Sequence, residues 1–149
     1  MRVHIAADHA GYELREHLIR ELKADGHEVI DHGATEYDAL DAYPTMCIPC
    51  GEAVVADPGS LGIVIGGSGN GEQMAANKVT GVRAALVWSE ATAVLAREHN
   101  DANVIAIGAR QHEEGEATKF VKVFLATPFS GESRHQERID LMSQYEQQR

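Results

Sequence analysis

The 149-residue sequence lacks several features that mark specialised classes of protein. It contains no run of about 18 apolar residues, so we expect no segment that crosses a membrane. The sequence contains 13 basic and 23 acidic residues, and its formal net charge is −10. Duplex nucleic acid and anionic membrane surfaces both bind positively charged faces. The first eleven residues, MRVHIAADHAG, also lack the apolar core of a signal peptide. We therefore expect a cytoplasmic protein whose partners include neither nucleic acid nor membrane.

Cysteine is scarce as well, with Cys47 and Cys50 in the motif Cys-Ile-Pro-Cys. Two thiols at this spacing form a redox pair in thioredoxin-like proteins, where the motif directly follows a strand. Here a polar loop precedes the motif and an apolar segment follows it, which favours two buried thiols near the start of a helix. One such pair is also too few ligands for a zinc site. We expect no bound metal.

Short apolar runs alternate with helical patterns along the whole chain. Strands are predicted at residues 3–7, 28–31, 61–65, 83–87 and 104–106, and helices at 12–24, 47–56, 72–79, 90–98, 113–126 and 132–146. The strands are continuously hydrophobic, as in a parallel sheet that is covered on both faces. With right-handed crossovers this gives a three-layer α/β/α sandwich around a five-stranded parallel Rossmann-like sheet. No linker interrupts the pattern, so residues 1–149 are predicted to form one domain.

Polar residues cluster directly after three of the predicted strands. Asp8 and His9 follow the first strand, the segment 66–72 follows the third, and the segment 108–110 follows the fifth. Parallel α/β sheets bind their ligands at the carboxyl ends of the strands. The sequence therefore predicts a small-molecule site at this edge of the sheet.

The segment Gly-Gly-Ser-Gly-Asn-Gly-Glu at 66–72 is the most informative of these clusters. Glycine permits positive φ angles and lets a ligand approach the backbone, so that successive N–H groups and the start of a helix can hold an anion. The dinucleotide fingerprint fails because its third glycine would fall at Glu72, and no P-loop lysine follows. The loop is expected to hold either a phosphate or an oxyanion that develops during a reaction.

Glu72 follows the last glycine and has two interpretations. Beside a group of amides that stabilises an oxyanion, it acts as a general base that removes a proton. Alternatively, it is an acidic residue in the first turn of a helix that interacts favourably with the helix dipole. The loop alone leaves both interpretations open.

Two further groups carry candidate functional side chains. His99 and Asn100 lie in a polar turn before the fifth strand, and most isolated histidines of this kind are structural. Arg110 follows the fifth strand, whereas Arg134 and Arg138 share one face of the last helix because they are four residues apart. Guanidinium groups suit phosphate, but an ordinary charged helix face has the same appearance. If these arginines bind phosphate, the last helix must reach an active site in its own chain or in a second subunit.

In combination, these motifs resemble the type B ribose-5-phosphate isomerases, in a family that includes allose- and galactose-6-phosphate isomerases. The resemblance covers essentially the whole chain. Besides the glycine loop, its motifs are AADHAG at 6–11, Tyr43-Pro44, AANK at 75–78, GVRAAL at 81–86, HNDANV at 99–104 and GAR at 108–110.

The resemblance implies interconversion of ribose 5-phosphate and ribulose 5-phosphate by a homodimer with shared sites, without a cofactor or metal. It assigns the base to Glu72 and the acid that helps to open the sugar ring to His99. It assigns contacts with the substrate or its phosphate to Asp8, His9, Tyr43, Gly67, Ser68, Gly69, Asn70, Gly71, Asn100, Arg110, Arg134 and Arg138.

One position departs from much of the family. Many members carry a cysteine base at the place of Gly66, whereas a second branch has a glutamate at the place of Glu72. The missing thiol and the added carboxylate compensate each other, which favours Glu72 as the base. The remaining alternatives are an isomerase of a six-carbon sugar phosphate and a non-catalytic phosphate-binding module.

Overall fold

The computed structural model describes all 149 residues and contains a single five-stranded sheet. The strands are β1 (Arg2–Ala7), β2 (Glu28–Asp31), β3 (Leu61–Gly66), β4 (Ala84–Leu86) and β5 (Val104–Gly108). They lie in the order β2-β1-β3-β5-β4, and every neighbouring pair is parallel. The predicted five-stranded parallel sheet is confirmed.

Helices cover both faces of this sheet. They are α1 (Tyr12–Ala24), α2 (Pro44–Val55), α3 (Asn70–Ala76), α4 (Glu90–Glu98), α5 (Glu114–Ala126) and α6 (Ser133–Gln147), with one 3-10 turn at His9–Gly11. The larger buried cluster joins α1, α4 and α5 to one face of the sheet, and the smaller cluster joins α2 and α3 to the other. This is the predicted three-layer α/β/α sandwich. None of the helices combines the length and the apolar character that crossing a membrane requires.

Strand β3 shows why the hydrophobic runs are continuous. All six of its residues are buried. Ile63 and Ile65 pack into the larger cluster, whereas Val64 between them packs into the smaller one. Successive side chains of a strand point to opposite faces, so a central strand between two helical layers needs apolar residues at every position.

Among the boundaries that differ from the prediction are two at which glycine shapes the backbone. Helix α3 begins at Asn70 rather than at residue 72, because Gly69 adopts a φ of 85° and already forms the helix cap. Strand β5 continues to Gly108 because this residue pairs with Gly66 of β3. Both shifts lengthen regular structure into the glycine segments that the prediction assigned to loops.

Candidate active site

The carboxylate of Glu72 lies in the space that a side chain at position 66 would occupy. Glu72 is 4% exposed. A Cβ atom at Gly66 would overlap the Glu72 carboxylate. The carboxylate therefore sits against the carboxyl end of β3, and only glycine at position 66 leaves room for it.

The environment of Glu72 favours its protonated form more than water does. Burial is the largest cause of a raised pKa, and the nearby negative charge of Asp8 raises it further. The backbone N–H groups of Glu72 itself and of Gly69 act in the opposite direction. The effect of burial therefore outweighs that of the two amide hydrogen bonds. A raised pKa makes a carboxylate a stronger base, closer to what proton abstraction from carbon requires.

Unbonded amide groups lie in the segment next to this carboxylate. No backbone carbonyl accepts a hydrogen bond from the N–H groups of Gly67 or Ser68, whereas the N–H of Gly69 is directed at the Glu72 carboxylate. The hydroxyl of Ser68 accepts from the N–H of Asn70 at 3.2 Å, and Ser68 itself is exposed. The amides of Gly67 and Ser68 lack a carbonyl partner, which is unusual because backbone donors in folded proteins are almost always paired. They are therefore available to a ligand.

Arg110 and Tyr43 lie on two sides of the glycine segment. A Cβ atom at Gly67 would lie 3.3 Å from Nη1 of Arg110, so the exposed guanidinium group extends over this glycine. A Cβ atom at Gly71 would overlap the phenol of Tyr43. The sequence-predicted residues Glu72, Arg110 and Tyr43 therefore surround the same short segment.

Asp8 and His9 complete this group at the end of β1. Asp8 is buried, and its Oδ1 atom accepts from the N–H groups of Ala10 at 2.9 Å and Gly11 at 3.3 Å. His9 is bound by Asp41, whose Oδ1 atom lies 2.8 Å from the imidazole Nδ1 and 3.0 Å from the backbone nitrogen. Asp8, His9 and Asp41 are also the one set of residues whose ligand-type atoms lie close enough together, within 4.8 Å, to hold a metal ion.

Sequence reasoning missed Asp41. It belongs to a polar loop that carries several acidic residues, and no periodic pattern separates Asp41 from Asp38 in the same loop. Only the three-dimensional contact with His9 distinguishes the two.

A second group forms around His99 at the end of α4. Its imidazole stacks on that of His135 in α6, with ring centres 4.1 Å apart and an interplanar angle of 17°. Arg134 and Arg138 lie on the same helix and are exposed, and Nε of Arg134 donates to Glu132 at 2.8 Å. The structure thus brings together one histidine and two arginines that the sequence singled out.

The turn that bears His99 and Asn100 is held from both sides. Arg97 donates to Oδ1 of Asp101 at 2.8 Å and to the carbonyl of Ala102 at 2.7 Å. Arg83 donates to the carbonyls of Asn100 at 3.1 Å and Asp101 at 2.8 Å. Asp101 is the only non-glycine residue with a positive φ, 43°. This turn has a fixed shape, with a strained residue at its centre.

The two groups lie at opposite ends of the strands. Glu72, Asp8 and Arg110 follow the carboxyl ends of strands, whereas His99 precedes the amino end of β5. Strand β5 has five residues, which span about 16 Å at a rise of roughly 3.3 Å per residue. Within one chain, His99, Asn100, Arg134 and Arg138 therefore do not join the site around Glu72.

Cys47 and Cys50 are buried thiols in α2, as the apolar sequence around them indicates. Burial raises the pKa of Cys50 to about 12, and burial together with the charge of Glu72 raises the pKa of Cys47. Both thiols are protonated at neutral pH, which removes the nucleophilic form.

The fold and the site define an α/β protein with a buried carboxylate at the carboxyl ends of the strands of a parallel sheet. The chain belongs to the ribose/galactose isomerase family, which it matches over residues 3–142. It is 60% identical to ribose-5-phosphate isomerase B of Mycobacterium tuberculosis over 146 residues, which cover 98% of this chain and 90% of that protein.

Solved structures agree with this relationship. The crystal structure of ribose-5-phosphate isomerase B from Mycoplasma genitalium with bound ribulose 5-phosphate superposes with a TM-score of 0.95 at 42% identity, covering 99% of this chain and 97% of the other. Ribose-5-phosphate isomerase B of Clostridium thermocellum has a TM-score of 0.95 at 38% identity, covering 99% of each chain.

Proposed function

We propose that this chain, acting as one domain, is an aldose–ketose isomerase that interconverts D-ribose 5-phosphate and D-ribulose 5-phosphate. The observation that carries the proposal is the buried Glu72 carboxylate with a raised pKa, next to amide groups that bind no carbonyl. A base beside unbonded donors suits a reaction in which a carbon-bound proton leaves and an oxyanion forms. The relatives that bear this activity in their names are similar over nearly the whole chain.

The central step is the removal of the hydrogen on C2 of the open-chain sugar by Glu72. The electron pair of the C2–H bond forms the C1–C2 double bond, and the carbonyl electrons move to the oxygen on C1. The resulting cis-enediolate is stabilised by the N–H groups of Gly67 and Ser68, with Gly69, Asn70 and Gly71 completing the segment. The proton then returns to C1, while the hydroxyl proton on O2 moves to O1 and leaves the ketone.

The remaining residues bind and prepare the substrate. Tyr43 and Asp8 line the sugar site, and His9 contacts the sugar phosphate. Arg110 faces the substrate from the end of β5 and holds its phosphate.

We further propose a homodimer in which each site takes His99, Asn100, Arg134 and Arg138 from the other subunit. The separation of the two groups within one chain supports this arrangement. A groove of about 680 Å³ runs between α3, β4 and α6, and exposed apolar side chains line it. Trp88, Met142 and Tyr145 among them are 61%, 50% and 68% exposed, which is unusual for large apolar side chains unless a partner covers them.

The test is a direct assay of the purified chain with ribose 5-phosphate, in which ketose formation is followed by absorbance. We expect turnover of ribose 5-phosphate and a markedly lower kcat/KM with allose 6-phosphate. Equal or greater efficiency with the six-carbon substrate would contradict the substrate assignment. Binding of sugar phosphate without turnover would instead indicate a non-catalytic module.

A further inference from the structure

The contact between His9 and Asp41 is the most specific polar contact of the site that the proposed reaction leaves without a role. One oxygen of Asp41 accepts from both the backbone nitrogen and the imidazole Nδ1 of His9, at 3.0 Å and 2.8 Å. The side chains are 24% and 12% exposed, so the pair lies largely away from water. The carboxylate therefore fixes the backbone and the ring of the same histidine.

This contact determines which ring nitrogen of His9 carries the hydrogen. A carboxylate accepts hydrogen bonds and has no hydrogen to donate, so the hydrogen of the short contact lies on Nδ1. Nδ1 and Nε2 lie on different sides of the ring, and Nε2 consequently points away from Asp41. The bond made by one ring nitrogen sets the state of the other.

A hydrogen bond and two ring contacts hold the loop that carries Asp41 next to the site. The hydroxyl of Tyr12 donates to the carbonyl of Thr35 at 3.3 Å. The ring of Tyr37 meets the ring of His9 edge-on, with centres 6.4 Å apart. The loop ends at Tyr43, whose phenol lies against Gly71. Asp41 is thus held in place by its loop and is able to hold His9 in turn.

We propose that Asp41 is a positioning residue, which fixes the ring of His9 in the Nδ1–H form and directs Nε2, as a hydrogen-bond acceptor, to a hydroxyl group of the sugar phosphate. This inference rests on the proposed function, since it assigns the use of the free nitrogen to the substrate of that reaction. Asp41 itself does not touch the substrate. Its effect on the reaction passes through His9.

Two substitutions distinguish the role of Asp41 as a hydrogen-bond acceptor from the role of its negative charge. In Asp41→Ala the acceptor is lost, and we expect KM for ribose 5-phosphate to rise about tenfold while kcat changes less than about twofold. In Asp41→Asn the amide oxygen still accepts from His9, so KM is expected to stay within about threefold of the original value. The matched control is Asp38→Asn in the same loop, because the Asp38 carboxylate caps the N–H of Leu40 at 2.9 Å and does not reach His9.

A spectroscopic measurement tests the same claim without relying on turnover. Long-range 1H–15N spectra of the full chain, recorded where the histidines are neutral, report which ring nitrogen carries the hydrogen, and loss of one signal set in His9→Asn assigns His9. We expect hydrogen on Nδ1 in the original chain and in Asp41→Asn, and its transfer to Nε2 in Asp41→Ala.

The inference is overturned if Asp41→Ala leaves both KM and the His9 nitrogen signals unchanged. It is likewise overturned if Asp41→Asn raises KM as much as Asp41→Ala does. It is also overturned if treatment with EDTA reproduces the effect of Asp41→Ala, because a metal ion on Asp8, His9 and Asp41 would then hold the ring. Failure of the proposed function has a different signature. In that case the original chain does not isomerise ribose 5-phosphate, whatever the spectra of His9 show.

Discussion

At the scale of single residues, Gly66 and Glu72 share one volume. The carboxylate of Glu72 occupies the space next to the Gly66 Cα where a side chain would begin. A side chain at position 66 and the carboxylate at position 72 would therefore occupy the same space, so the chain can place a base there from only one of the two positions. This explains in physical terms why a chain with glycine at one position carries glutamate at the other.

Because the two residues share this space, we expect Gly66→Ala to inactivate the enzyme although Glu72 itself is unchanged. The added methyl group displaces the carboxylate, and a misplacement of about 1 Å is enough to lower kcat roughly 100-fold. Steady-state kinetics with ribose 5-phosphate measure the effect. Gly115→Ala is the control, since a Cβ atom there meets nothing within 4 Å and no activity should be lost. A Gly66→Ala enzyme with unchanged kcat would show that the carboxylate is not needed at this place.

The pH dependence of the rate follows from the raised pKa of Glu72. The proposed base must be deprotonated to act, so we expect activity to fall as the pH drops through this raised pKa. The charge of Asp8 contributes to the shift, and Asp8→Asn removes that charge while keeping an oxygen that can cap the following turn. The substitution lowers the pKa of Glu72, so the acid limb of kcat should move to lower pH. An acid limb that stays in place or moves to higher pH would contradict this assignment.

At the scale of elements, the sheet was predictable and the loop that completes the site was not. The central strands are buried on both faces, so their hydrophobicity is continuous and visible in one sequence. The start of α3 was misplaced because Gly69 forms the cap through its backbone, which leaves no side-chain signal. Asp41 was missed because a loop has no periodicity, and the contact with His9 exists only after β1 and this loop have come together.

The turn between α4 and β5 offers a prediction at the same scale. Arg97 binds the turn through Asp101 and Ala102, and its Nε atom also donates to the carbonyl of Thr127 after α5, at 3.1 Å. We expect Arg97→Ala to lower the free energy of unfolding by about 1.5–3 kcal/mol. It should also lower kcat, because the turn carries His99.

Chemical denaturation and kinetics on the same preparation check both effects of Arg97→Ala. Arg20→Ala, on the exposed surface of α1, serves as the control and should change neither quantity. If Arg97→Ala is as stable and as active as the original chain, the turn does not depend on this arginine.

At the scale of the whole molecule, the distribution of the candidate functional groups supports the proposed dimer. The Glu72 carboxylate and the unbonded amides lie at the carboxyl ends of the strands, and His99 with two arginines lies at the amino ends. The net charge of −10 does not oppose binding of an anion, because the arginines are concentrated locally. The spacing of Arg134 and Arg138 was visible in the sequence, but a single sequence contains no signal for the distance between the two groups.

A shared site predicts complementation between two inactive variants. Glu72→Gln and His99→Asn are each expected to be strongly impaired. In a mixed dimer, one of the two sites combines the intact Glu72 of one chain with the intact His99 of the other. Random mixing by joint refolding or co-expression should therefore restore about a quarter of the original activity, since half of the dimers are mixed and each has one intact site. Activity that stays at the level of the separate variants would show that each site is built from one chain.

The most direct test of the central claim is exchange of the C2 hydrogen of ribose 5-phosphate with heavy water, followed by proton NMR. With the original chain, ribulose 5-phosphate should gain deuterium at C1 as the C2 hydrogen of ribose 5-phosphate leaves, and the reverse reaction should then place deuterium at C2 of ribose 5-phosphate. Glu72→Gln should still bind the sugar phosphate, while exchange and isomerisation both fall by about 10²–10⁴-fold. If Glu72→Gln exchanges the hydrogen at the original rate, Glu72 is not the group that removes the proton.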